Sequence, residues 1–194
     1  GKIAKIMESG LISAAGAAKC LYLRPPPTNI IAMTLLKIAR MGHPVLRRRA
    51  QEITDPTAPE IRDLVNDMIE TMVDLDGAGL AAPQVHVGLR LVIFKAPPDR
   101  VEPAEDGTED PAETAELTVL INPDLEPLTD EKTLGWEGCL SVPGLNGAVP
   151  RFTHIRYTGF DLDGNRIDRE ATGFHARVAQ HEIDHLDGIL YPQR

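Results

Sequence analysis

Nothing in this chain marks it for a membrane, an oxidising compartment or a nucleic-acid surface. Its 194 residues contain only two cysteines, Cys20 and Cys139. That excludes the disulfide framework that staples small secreted domains and implies a reducing compartment. No apolar run approaches the roughly 20 residues that a spanning helix needs, so no membrane association is expected. Basic charge is scarce: 20 Lys and Arg stand against 29 Asp and Glu, a net charge of −9. A large nucleic-acid footprint carries the opposite sign, and no direct nucleic-acid site is expected. The last stretch is also poor in the usual third ligands, since residues 186–194 hold no His, Cys or Glu. What remains is an ordinary globular composition, 42% hydrophobic and 25% charged, long enough for one domain with a real core.

The segment His181-Glu182-Ile183-Asp184-His185, nine residues from the end, carries the chemistry. Two histidines four apart lie one above the other on a helix face, so both imidazoles can reach one metal ion. The glutamate beside the first is close enough to handle a proton of the water such an ion activates. In familiar metalloproteases the third ligand follows downstream. None follows here, so a third ligand is expected from upstream. His43 and His86 sit in turn-like contexts, His154 lies on the polar face of an alternating run, and His175 points away from the ligand stripe. Cys139 stands in Trp136-Glu137-Gly138-Cys139-Leu140-Ser141, a glycine-flanked segment able to approach a metal closely. A lone cysteine is more often a small buried hydrophobe. Beside a histidine pair the ligand reading is the stronger, because one thiolate and two imidazoles suit a catalytic divalent metal with an open fourth position.

Three stretches, Gly77-Ala78-Gly79-Leu80-Ala81-Ala82-Pro83-Gln84, Glu137-Gly138-Cys139-Leu140-Ser141 and Gln180-His181-Glu182-Ile183-Asp184-His185-Leu186, together resemble the signature motifs of peptide deformylases, in the family's order. The resemblance begins near Met33, with residues 35–46 similar to the family's first strand and turn, and continues to the end. It implies an amidase that releases formate from the N-terminal formylmethionine of newly made polypeptides. It also implies an α+β fold, short antiparallel sheets around a C-terminal metal-binding helix. Cys139, His181 and His185 would hold the metal, with Glu182 as general base and then general acid. By resemblance, the side-chain amide of Gln84 and the backbone N–H of Leu140 stabilise the oxyanion. Ala78 and Gly79 pair with the substrate main chain. A pocket for the methionine side chain is expected from Phe174, Val178 and the Gly135-Trp136 region, with Glu137 also placed among the substrate-binding residues. Arg151 is expected to pair with Glu137 and brace the Cys139 segment.

The organisation along the chain fits one catalytic domain, residues 33–194, preceded by an extension, residues 1–32, with no catalytic part. That extension has lysines, a weak apolar stretch and Pro25-Pro26-Pro27, a stiff spacer. A helix is expected from Pro56 after an Asp55 cap, with an apolar stripe of Ile61, Leu64, Val65, Met68, Ile69, Met72 and Val73, ended by Gly77. Residues 89–95 and 118–122 read as strands, and the acidic, proline-bearing 97–116 between them as a solvated insertion. Residues 153–162 alternate, Asp163-Gly164 is a hairpin turn into residues 165–170, and a last helix runs from a Thr172 cap to Gly188. On it Phe174, Val178, His181 and His185 share a face.

The ligand set does not choose among iron, zinc, nickel and cobalt; the resemblance implies ferrous iron natively. Expected partners are N-formylmethionyl peptides and nascent chains, with ribosome association, in a monomer. A bacterial cytoplasm is the expected location, or an organelle if residues 1–32 are a transit peptide. Two other functions use the same residues. An endopeptidase using the same metal is disfavoured by the missing downstream ligand. A peptide binder without hydrolysis is disfavoured because Glu182, Gln84 and all three ligands are present.

Overall fold

The structure, a computed structural model, describes residues 35–100 and 111–194. The reading of residues 1–32, Cys20 and Met33 included, and the middle of the acidic insertion lie outside the described residues. Residues 35–40 belong to no strand or helix. The first helix, α1, spans Pro59–Asp74. It starts three residues later than expected, because Asp55 caps a turn instead, accepting from the Thr57 N–H at 2.9 Å and its hydroxyl at 2.7 Å. Ile61, Leu64, Val65, Met68 and Met72 are buried as the stripe requires, whereas Val73, at the stripe's edge in the last turn, is 62% exposed. The left-handed residue that closes the helix is Asp76 rather than Gly77. Asp76 takes the left-handed conformation (φ 51), while the Gly77 N–H returns to the Met72 carbonyl at 2.9 Å.

Among the described residues seven strands follow: β1 (Gly79–Ala81), β2 (Leu91–Ala96), β3 (Ala115–Pro127), β4 (Lys132–Cys139), β5 (Val142–Phe152), β6 (His154–Phe160) and β7 (Arg166–Thr172). Five form an antiparallel sheet in the order β1-β2-β3-β6-β7, and β4 and β5 form a separate two-stranded ribbon. The α+β architecture therefore stands as the sequence implies. Strand β3 is much longer than residues 118–122, and it takes in Ala115 and Glu116, the last two residues of the acidic segment, with Ala115 buried.

The last helix, α2, spans Gly173–Leu186. Strand β2 explains why the sheet has a helix on each face. Leu91 and Ile93 pack with α1, while Val92 and Phe94 pack with Val178, Ala179, Ile183 and Leu186 of α2. A strand covered on both sides reads as a continuous apolar run rather than an alternation. Thr172 precedes α2 as expected but makes no side-chain cap bond. At the other end Gly188 (φ 75) closes the helix, and the Ile189 N–H reaches the Asp184 carbonyl at 3.0 Å. A Cβ at Gly188 would also lie 2.7 Å from the Arg47 carbonyl carbon. Gln180 ties α2 to β5 through both backbone groups of Phe152, at 3.1 and 3.0 Å.

Candidate metal centre

His181 and His185 face inward from α2, and both are buried. Helical spacing brings their rings to 4.9 Å between centroids, nearly perpendicular at 86°. The β4–β5 ribbon supplies the third donor. Its register slips between Gly138 and Cys139, and that irregularity sets the Cys139 Sγ 3.4 Å from His185 Nε2. The ligand atoms of Cys139, His181 and His185 all lie within 4.8 Å of one another. Three convergent donors of this kind fit one divalent cation with room for a further ligand.

Electrostatics agree with that fit. Burial pushes the pKa of His185 well below its ordinary value, keeping the imidazole neutral with a lone pair to give. Burial opposes charge on His181 too, but hydrogen bonds to Cys139 and Glu137 outweigh it and raise the pKa to about 10. Groups that favour positive charge at that point also favour a metal cation there. Among the described residues, the buried side-chain polar atoms without a hydrogen-bond partner are Glu182 Oε2 and His185 Nδ1, both at this centre.

Glu182 is buried, and burial raises its pKa to about 7. Its carboxylate lies against Gly79: a Cβ there would sit 2.6 Å from Glu182 Cδ, so only glycine permits the approach. Gln84 is buried within the adjoining turn. Its Oε1 accepts from the Ala81 N–H at 2.8 Å, which forces Nε2 to face Ser141 Oγ at 3.3 Å and Cys139 Sγ at 3.4 Å. The amide therefore donates toward the ligands. Leu140 follows Cys139, and its carbonyl is held by Arg40 at 3.2 Å. Ala78 is half-buried beside β1, an edge strand of the sheet.

Behind the ligands stands a chain of buried charges. Arg151 donates to both oxygens of Glu137, at 2.8 and 2.9 Å, and to Asp184 at 2.6 Å. The pairing of Arg151 with Glu137 is as the sequence suggested. Arg177 adds a third bond to Glu137 at 2.9 Å, and His181 Nδ1 a fourth at 2.9 Å. Burial alone would raise the Glu137 pKa, but these partners bring it down to about 2. The Glu137 carboxylate is thus held by two arginines and a ligand histidine. Arg177, Asp184 and Arg194, which donates to Asp184, escaped the sequence reading. No spacing rule links them to Glu137; only the ribbon's position over α2 does.

Alternation along β4 turns Glu137 inward, which sends Trp136 outward, 77% exposed. Val178 is buried in the core under α2, and Phe174 packs on the edge of that core with the Arg100 guanidinium 5.9 Å from its ring centroid. His175 lies off the ligand face, bonded to Tyr157 and the Ala112 carbonyl.

A thiolate and two helical imidazoles beside a buried carboxyl group define a metal-dependent hydrolase site. The polypeptide deformylase family model matches residues 35–194. Peptide deformylase 1 of Bordetella pertussis is 54% identical over 157 residues, 81% of this chain and 85% of that protein. Peptide deformylase 1 of Nitrosomonas europaea is 50% identical over the same shares. Among solved structures, a peptide deformylase from Ehrlichia chaffeensis superposes with a TM-score of 0.74 at 34% identity, covering 82% of this chain and 87% of that one. A Met-Ala-Ser-bound class I type b enzyme from Acinetobacter baumannii gives 0.72 at 32%, covering 84% and 99%. The chain belongs to the peptide deformylase family. Its activity is the metal-dependent hydrolytic removal of the N-formyl group from the N-terminal methionine of new polypeptides.

Proposed function

We propose that Cys139, His181 and His185 hold the metal of this deformylase and that Glu182 moves the proton. A divalent metal held by these three residues would supply Lewis acidity for activating water near neutral pH. Glu182 takes the proton of the attacking water and returns it to the departing amine, so formate and a free N-terminal amine result. The observation that carries the assignment is geometric: the ligand atoms of Cys139, His181 and His185 lie within 4.8 Å of one another, with buried Glu182 beside the first histidine. Gln84 Nε2 and the Leu140 N–H donate to the formyl oxygen as it gains charge. The peptide main chain adds along β1 at Ala78 and Gly79, an edge that β-augmentation can use. Phe174 and Val178 contribute apolar surface for the methionine side chain.

Ferrous iron is the proposed native metal. The enzyme works as a monomer in a bacterial cytoplasm, in association with ribosomes. Residues 33–194 form the catalytic unit, and residues 1–32 take no catalytic part. The test is formate release from a formyl-Met dipeptide by anaerobically purified, metal-assayed protein, alongside an internally bonded peptide. Cleavage of the first and not the second is expected; full turnover by Glu182→Ala would refute the mechanism.

A further inference from the structure

Residues 35–51 contain no aspartate or glutamate but five cationic side chains, Lys37, Arg40, Arg47, Arg48 and Arg49. The whole chain carries −9, so all the rest sums to −14. These five side chains and His43 are exposed. Backbone bonds pin the stretch beside the motif loops: the Ala39 N–H reaches the Gln84 carbonyl at 2.7 Å, and the Met41 N–H the Ser141 carbonyl at 2.8 Å. His43 packs edge-on against exposed His86, centroids 4.6 Å apart. Partial burial, with a smaller repulsion from Lys37, lowers the pKa of His86. Among the described residues the one ion pair these five make is Arg49 with Asp187, at 4.0 Å, and Asp187 is held more closely by Arg90 at 2.7 Å.

We propose that this face docks on RNA, with Lys37, Arg40, Arg47 and Arg48 contacting backbone phosphates. The inference deepens the reading of a nascent-chain substrate, because it names the surface by which the enzyme would approach the RNA of a translating ribosome. Guanidinium forks match phosphate oxygens in pairs. The surrounding negative charge repels a polyanion from the rest of the surface and so orients its approach. Net charge hides such a site, and the expectation of no nucleic-acid contact rested on net charge. Arg40 also carries the patch to the catalytic segment through its bond to the Leu140 carbonyl.

The experiment is fluorescence anisotropy of a short labelled RNA stem-loop titrated with the full chain, from roughly 50 to 200 mM salt. Four phosphate contacts predict an affinity loss of about 100-fold over that range. Arg47→Glu with Arg48→Glu should weaken binding at least tenfold and roughly halve the salt slope. The same variant should release formate from a formyl-Met dipeptide at the parent rate. If it does not fold, Lys37→Glu alone should give a smaller loss of the same kind. RNA binding that ignores these changes, or no binding at the lowest salt, overturns the proposal. So does equal affinity for polyglutamate or phosphatidylserine vesicles. A parent chain that binds RNA yet releases no formate would sink the catalytic reading and leave this surface standing.

Discussion

His181 Nδ1 donates to Glu137 Oε2 at 2.9 Å, and the same carboxylate is gripped by Arg151 and Arg177. With Nδ1 held by that carboxylate, Nε2 is the nitrogen left for a metal beside Cys139 and His185. An outer partner of this kind raises the basicity of the ligand and fixes its ring. Glu137→Gln should therefore weaken metal retention by about 10- to 100-fold, read by metal analysis after dialysis against a chelator. Retention equal to the parent would remove Glu137 from the metal's support.

Arg151 joins two buried carboxylates, Glu137 and Asp184. Truncation leaves both without their main counter-charge, which costs about 3–5 kcal/mol when a buried pair is broken. Arg151→Ala should lower Tm by about 10 °C in a domain this size, and should also lower metal content. A melting point within error of the parent would count against the network.

Gly79→Ala tests the close approach of β1 to the proton-moving residue. The new methyl group must displace the Glu182 carboxyl, since it would start 2.6 Å from Cδ. Misplacing a reacting group by about 1 Å can cost about 100-fold in rate. We expect kcat to fall by about that factor with metal content unchanged. Wild-type kcat would refute the contact.

His175 predicts an acid limb in stability that is independent of the metal ligands. Burial lowers its pKa to about 4 from 6.5. The unfolded chain therefore binds a proton that the folded chain refuses, so stability is complete above pH 6.5 and falls as pH drops toward 4. Between pH 7 and pH 5 the loss should be about 2 kcal/mol, measured by urea unfolding. His175→Gln should be less stable at pH 7 but show a shallower pH slope; an unchanged slope would rule His175 out as its source.

Much of the site was legible because its signals are local. Three of the side chains come from one helix, where a spacing of four decides which groups share a face. The α1 stripe was legible for the same reason, and its boundary was not: Asp55 can cap a turn as well as a helix, and only packing chooses. Trp136 and Glu137 show the limit for strands. Period two says that neighbours point apart, but not which of them faces the protein. The ribbon's seat over α2 made that choice, turning the glutamate in and the tryptophan out.

By itself, then, the sequence determined the donors: a histidine pair whose convergence follows from helix geometry, a carboxyl group beside it, and one cysteine in a glycine-flanked turn. Tertiary structure decided what those donors become. It brought the thiol of Cys139 across from a different sheet, locked His181 through Glu137, and buried Glu182 deeply enough to raise its pKa. Burial and long-range pairing are sums over residues distant in the chain, and no local pattern contains them.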